Sequence, residues 1–258
     1  MENTSEKIQS VERALVILEL LGQEFELGIT EISKEIGLGK STVHRLLATL
    51  KDKGFVQQTA SGKYRLSLKL FEVGNMMVNK LGVRKEAGSY LEKLASLSGE
   101  TVNLAVIDKC DVIYIERIES SEPLRMGLEV GRRLPAFCTA LGKVILAYLP
   151  EHEFKKVLAA NQSDSRLPQF TNKSITNVSE LYAHLQQVKE QGYSFDDEEF
   201  LQGLRCVAAP IFDHMGKVIA AISISGPTVR MTYETVNKLI PYLKEATVNI
   251  SKQMGYKG

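Results

Sequence analysis

Three cysteines in 258 residues, Cys110, Cys138 and Cys206, stand singly along the chain. An odd, unclustered set supports neither a disulfide framework nor a zinc motif, and it fits a reducing cytoplasm. No apolar run approaches the roughly 20 residues that cross a bilayer. The N-terminal MENTSEKIQS has no apolar stretch of the kind a signal peptide carries. A cytoplasmic protein with no membrane partner is therefore expected. Low-complexity tracts and internal repeats are missing. So are a P-loop, G-x-G-x-x-G, H-E-x-x-H and the G-x-S-x-G elbow, so neither a cofactor nor a metal is expected. Neither sign of charge dominates, with 32 Lys and Arg against 31 Asp and Glu and a formal net charge of +1. The remaining composition, 44% apolar and 24% charged, is that of a globular protein with room for one large domain or two smaller ones.

The near-zero net charge hides a division. From Lys40 to Lys69 the cations Lys40, Arg45, Lys51, Lys53, Lys63, Arg65 and Lys69 face Asp52 alone, whereas Met1 to Gly39 carries eight glutamates against Lys7, Arg13 and Lys34. The basic part contains ITEISKEIGLGKSTVHRLLATL, two short apolar-periodic segments broken by Gly37-Leu38-Gly39. In the second, Val43, Leu46, Leu47 and Leu50 form the i, i+3, i+4, i+7 stripe of a helix that buries one side. Lys40, Ser41, Thr42, His44, Arg45 and Thr49 remain outside, cations and hydrogen-bonding groups suited to phosphates and base edges. This pattern predicts a helix-turn-helix whose second helix enters the major groove. A solvated helical hairpin is the plainer alternative. Against it stands the next stretch, Phe55–Thr59, a turn at Ala60-Ser61-Gly62, and Lys63–Leu66, which reads as a hairpin. Its Lys63 and Arg65 would be the backbone contacts of a wing. A first helix over Ser10–Gly22, capped by Ser10, would supply Val11, Ala14, Leu15, Leu18 and Leu21 to the core beneath.

Leu68 to Gly82 is predicted as a connecting helix with a broad apolar surface, packed either within the chain or against a second subunit. Beyond it come a helix from Val83 to Leu97, strands over Val102–Ile107, Val112–Ile118 and Leu124–Leu128, and helices over Thr139–Leu149, Glu151–Ala160 and Val178–Gln191. Strands over Cys206–Phe212 and Val218–Ile224 follow, then a helical segment Thr232–Met254 that Pro241 should kink or truly begin. The mixture predicts an α+β domain with one central sheet. The expected divisions are 1–67 (winged helix), 68–82 (linker helix) and 83–258 (ligand domain).

Chemistry is sparse in this second half. Period 2 puts Ser223 and Ser225 on one strand face and Ile222 and Ile224 on the other. With Asp196 and Cys206 nearby in sequence, that polar face fits either a pocket floor for a small polar ligand or a face of small residues turned to solvent or a close-packed helix. A hydrolase would need an oriented base. His152, His184 and His214 lie in no catalytic motif, His184 on an expected surface helix and His214 in a turn. Catalysis is not expected.

Taken together, SVERALVILELL, TEISKEIGLGKSTVHRLLATLKDKGFV and GKYRLSLKLFEVG, then LPAFCTALGKVILA, DDEEFLQGLRCVAAPIFD and GKVIAAISISGP, resemble the IclR family of bacterial transcription regulators from about Ile8 onward. The resemblance implies a winged helix-turn-helix, a linker helix and a GAF/profilin-like effector-binding domain with a central antiparallel sheet. It implies a homodimer or homotetramer on a pseudo-palindromic operator, often as repressor of a catabolic operon, controlled by a small organic-acid or aromatic effector. Matched by motif, the effector positions fall on Asp196, Cys206, Ser223 and Ser225, with Thr139, Ala140 and Leu141 as backbone donors to a carboxylate. Leu104, Met126, Leu128 and Phe137 are the expected pocket walls. Two rivals are an enzyme with an appended DNA-binding domain and an architectural protein that answers to no effector.

Overall fold

A computed structural model describes residues 8–124, 129–161 and 166–258, and the chain divides at 80/81 into two compact units. The first unit contains α1 (Gln9–Gln23), α2 (Ile29–Glu35), α3 (Lys40–Asp52), β1 (Val56–Gln58), β2 (Tyr64–Leu66) and α4 (Lys69–Lys80). Glu31 Oε2 accepts the Gly28 N–H at 2.6 Å and closes the start of α2. Gly37, at φ 64°, turns the chain in a conformation that costs glycine little, and extended Gly39 begins α3. The predicted stripe goes inward: Val43, Leu47 and Leu50 are buried with Ile17, Leu21, Ile32, Val56 and Tyr64, while Leu46 packs at the edge. β1 and β2 form an antiparallel hairpin with Val56 opposite Leu66. Leu27 adds a third rung, exchanging backbone hydrogen bonds of 2.9 and 2.8 Å with Tyr64.

Two expectations for α1 fail. The helix starts at Gln9 with Ile8 at its N-cap and no side-chain cap, so Ser10 lies inside the helix. Val11 and Leu15 are 53% and 55% exposed, and Ile17, absent from the expected list, is the fully buried contact. The inward stripe is thus turned toward Ile17 and Leu21. The linker helix α4 buries no residue: Phe71, Met76 and Met77 are all exposed.

Gly82, at φ 72°, separates α4 from α5 (Val83–Ser98). The second unit continues with β3 (Thr101–Asp108), β4 (Asp111–Ile118), β5 (Arg133–Pro135), a 3-10 turn (Ala136–Cys138), α6 (Ala140–Leu146), α7 (Glu151–Asn161), α8 (Val178–Gln191), β6 (Ser194–Asp197), β7 (Leu204–Phe212), β8 (Val218–Pro227) and α9 (Tyr233–Gln253). The strands form one antiparallel sheet in the order β5-β4-β3-β8-β7-β6. β7 and β8 are buried along nearly their whole length, so both sheet faces are covered. α6 packs on β7, β8 and α8, and α5 packs on β3 and α9. Asn177 caps α8, its side-chain oxygen accepting from Ser179 N at 2.8 Å and Glu180 N at 3.2 Å.

Pro241 does not begin the last helix. α9 starts at Tyr233, capped by Thr232 Oγ1, and continues through Pro241; one i→i−4 bond, to the Asn237 carbonyl, is lost there. The expected helix through Leu149 ends at Leu146, three residues earlier than its pattern suggested. The expected strand Leu124–Leu128 lies outside the described residues apart from Leu124, which sits in a bend.

Candidate functional site

On α3 the side opposite the core is open. Lys40, Ser41, His44 and Arg45 are exposed and Thr42 is half-exposed. Among the described residues none of the five side chains makes a protein hydrogen bond or ion pair. Thr49 is exposed too, but its hydroxyl donates to the Arg45 carbonyl at 3.1 Å and so is committed to its own helix. The wing is tied to the helix by Lys51 Nζ, 3.1 Å from Gln58 Oε1. Its two expected cations are less free than those of α3. Lys63 lies 3.9 Å from a Glu26 carboxylate oxygen, and the Arg65 guanidinium sits 5.9 Å above the Phe25 ring with its Nε buried and without a partner.

In the second unit, sheet register assembles what the sequence scatters. Asp196 pairs with Cys206, Cys206 with Ser225 and Ser225 with Thr101. One step along, Ser194 pairs with Ala208, Ala208 with Ser223 and Ser223 with Asn103. From these two rows Asp196, Cys206, Ser225, Ser223 and Asn103 line a cavity, together with Tyr114, Leu134, Thr139, Ala140, Leu141, Phe200 and Leu204. All seven effector positions taken from the family motif lie on it. Ser223 and Ser225 are 2% and 6% exposed, so their face is not turned to solvent; it lies beneath α6, with Ala140 and Leu141 across the cavity. Two expected walls are corrected. Leu104 is a neighbour of Asn103 on β3 and therefore faces the opposite side of the sheet. Phe137 is buried in the core around the 3-10 turn, and its ring lies 6.2 Å from that of Phe170. Met126 and Leu128 lie outside the described residues. Tyr114, Phe200, Leu204 and Leu134 are the apolar walls instead.

The cavity volume is about 10 Å³, the least that holds one water. Thr139 caps α6, its Oγ1 accepting from Gly142 N at 3.1 Å. Ala140 and Leu141, the first two helical residues, have amides with no carbonyl partner inside the helix. Asp196 is 2% exposed. Its Oδ1 accepts from Glu199 N at 2.8 Å and Phe200 N at 3.4 Å. Burial pushes its carboxyl up to about 7, with the nearby Glu199 charge adding to the rise and Lys143 and the two amides opposing it.

Lys143, a lysine that no local pattern marks out, is fully buried on α6 and ion-paired with Glu199. His184 is a second correction. It is half-buried rather than solvated, its Nε2 lacks a partner, and burial together with Lys143 pushes its pKa down to about 4, so it stays neutral. Burial raises the Cys206 thiol well above its ordinary value, so it stays protonated. Among the described residues no group of three His, Cys, Asp or Glu is placed to hold a metal ion.

Comparison with known proteins finds the IclR helix-turn-helix domain over residues 10–60 and the bacterial transcriptional regulator IclR C-terminal domain over residues 75–252. The chain belongs to the IclR family. The HTH-type transcriptional regulator KdgR of Escherichia coli K12 is 40% identical over 257 residues, 99% of this chain and 96% of the relative. The transcriptional repressor IclR of the same strain is 36% identical over 250 residues, 94% of this chain and 90% of the relative. A crystal structure of the Thermotoga maritima IclR matches with a TM-score of 0.83 at 31% identity, covering 97% of this chain and 100% of that one. These relatives are regulators, not enzymes. This IclR-family protein is accordingly a DNA-binding transcription regulator with a mixed α+β C-terminal domain. None of its helices is long and apolar enough to cross a membrane among the described residues.

Proposed function

We propose that this regulator represses a catabolic operon in the cytoplasm and is controlled by a small organic-acid effector held in the cavity of the second unit. The observation that carries the reading is the convergence of seven sequence-distant positions, from Thr139 to Ser225, on one buried polar floor with apolar walls. A pocket of that make-up orients a small polar ligand. Because the cavity has room for about one water, an acid of several heavy atoms binds an opened form, and control follows from its differential affinity for the two forms.

On the DNA side, Ser41, Thr42, His44 and Arg45 meet base edges while Lys40, Lys63 and Arg65 meet phosphates. Thr49 supports α3 rather than reading a base, in keeping with its bond to the Arg45 carbonyl. The exposed apolar side chains of α1 and α4, among them Val11, Leu15, Phe71 and Met76, fit burial against a second copy of the chain. Such a two-fold arrangement calls for a pseudo-palindromic operator.

The test is calorimetry of the full chain against a panel of aliphatic, keto, sugar and aromatic acids, with Ser223→Ala alongside. Ser223→Ala is expected to weaken the binding acid about tenfold and to leave operator affinity without ligand intact. If no carboxylate binds, or if Ser223→Ala leaves binding untouched, the cavity is not the effector site.

A further inference from the structure

Asn103 lies in the cavity wall at 1% exposure, on β3 opposite Ser223. Its amide nitrogen is 3.3 Å from Ser223 Oγ and 3.1 Å from Ser225 Oγ. An amide carries two N–H protons, so both bonds form together and both serine oxygens are acceptors in them. Each serine must then send its own proton elsewhere. Ser225 has the Thr101 carbonyl at 3.4 Å, whereas Ser223 has no acceptor in the protein among the described residues and is free to donate into the cavity. The amide oxygen of Asn103 is buried and has no hydrogen-bond partner among the described residues. A buried acceptor without a donor is costly, and such groups in folded proteins are nearly always matched. The Oδ2 of Asp196, next to this row, also receives no donor from the protein among the described residues. The cavity therefore presents one oriented hydroxyl donor beside the Asn103 amide oxygen, a buried acceptor that wants a donor.

We infer that Asn103 is a specificity-determining residue that selects hydroxylated carboxylic acids: its amide oxygen accepts from a hydroxyl of the ligand while Ser223, oriented by its amide nitrogen, donates to a ligand oxygen. This rests on the effector reading above. An acid lacking the hydroxyl fills the same space but leaves the Asn103 oxygen buried and unpaired, and it is rejected for that reason. A keto acid offers the same position only another acceptor, which the Asn103 oxygen repels. The selection comes from a missing partner rather than from size, so it holds between acids of equal length.

The experiment is calorimetric titration of the full chain with two length-matched sets, lactate, pyruvate and propionate, and gluconate with hexanoate. In the set that binds, the hydroxy acid is expected to bind about tenfold or more tightly than its unhydroxylated partner, with pyruvate weaker than lactate if the shorter set binds. In Asn103→Leu, of similar volume, the preference between hydroxylated and unhydroxylated acid should collapse to within about twofold. The wild-type ratios decide the matter even if that variant does not fold. Equal binding within a set, or pyruvate tighter than lactate, overturns the role of Asn103; where Ser223→Ala still weakens the acids, the cavity as effector site stands. If no acid of either set binds, or if binding ignores Ser223→Ala, both the inference and the effector reading fall.

Discussion

Lys143 and Glu199 form a buried ion pair whose charges act on Asp196, with Lys143 fully buried and Glu199 Oε2 without a partner among the described residues. Taking a charge out of water is costly, and removing only one partner leaves the other charge uncompensated. Lys143→Met is expected to lower unfolding stability by about 3–5 kcal/mol in urea. The double change Lys143→Met with Glu199→Leu should recover most of that loss. A single variant as stable as the wild type would mean the pair is not buried as described. Asp196 adds a pH dependence. Its pKa is raised from 3.8 to about 7, so the folded chain keeps this proton where the unfolded chain has lost it. That contribution is fully present below about pH 4 and disappears as pH rises through 7, at up to about 1.4 kcal/mol per unit. Asp196→Asn should therefore stabilise the protein more at pH 8 than at pH 5, read by thermal melts at both values; an equal gain at both would refute the shift. These residues also mark what could be read in advance. Asp196, Cys206, Ser223 and Ser225 were legible because they stand in recognisable motifs and the serines alternate. Asn103 and Lys143 were not: a lone asparagine in TVNLAV and a lysine on an apolar helix acquire meaning only from register and burial, which no local pattern carries.

The short helix α6 depends on one close approach. A Cβ built on Gly142 would lie 2.1 Å from the Ala136 carbonyl oxygen, a backbone atom that cannot swing away. Gly142→Ala is expected to cost about 3 kcal/mol or more and to displace Thr139, Ala140 and Leu141 from the cavity, which a urea melt with ligand titration measures. A variant of wild-type stability would show that the 3-10 turn and α6 can part without loss. Most elements were readable from periodicity. The stripe Val43-Leu47-Leu50, the glycine turn and the Val178–Gln191 helix all stand where the pattern put them. The unread elements are β5 and β6, short edge strands of three and four residues. β6 holds two aspartates in SFDD, residues that strands generally disfavour, and its pairing with β7 supplies what local preference does not. In α1 Ala14, Leu18 and Leu21 pack on the core as expected, whereas Val11 and Leu15 are exposed and Ile17 is buried in their stead. A run apolar at every position but Glu19, ALVILELL, leaves several stripes to choose from, and tertiary packing chose Ile17.

Across the whole molecule, one polypeptide joins an uncommitted basic helix to a closed polar cavity, with an apolar linker helix between them in sequence. An effector alters operator binding only to the extent that the opened and closed cavities differ in their preference for a DNA-competent assembly. The exposed apolar residues of α1 and α4 offer a place for that coupling, since a second copy covering them would share the linker. On the proposed reading Lys63 and Arg45 differ in what they contribute: Lys63, partly neutralised by Glu26, would meet the DNA backbone, whereas Arg45, exposed and without a protein partner among the described residues, would contact bases. The most direct measurement is the affinity of wild type, Arg45→Ala and Lys63→Ala for the duplex most enriched from fragmented genomic DNA and for a random duplex, across a salt series. Arg45→Ala should lose about 1–3 kcal/mol on the enriched duplex and much less on the random one, while Lys63→Ala should weaken both and flatten the salt slope by about one. Equal losses for Arg45→Ala on every sequence, or no loss at all, would contradict a regulator that reads DNA through this helix.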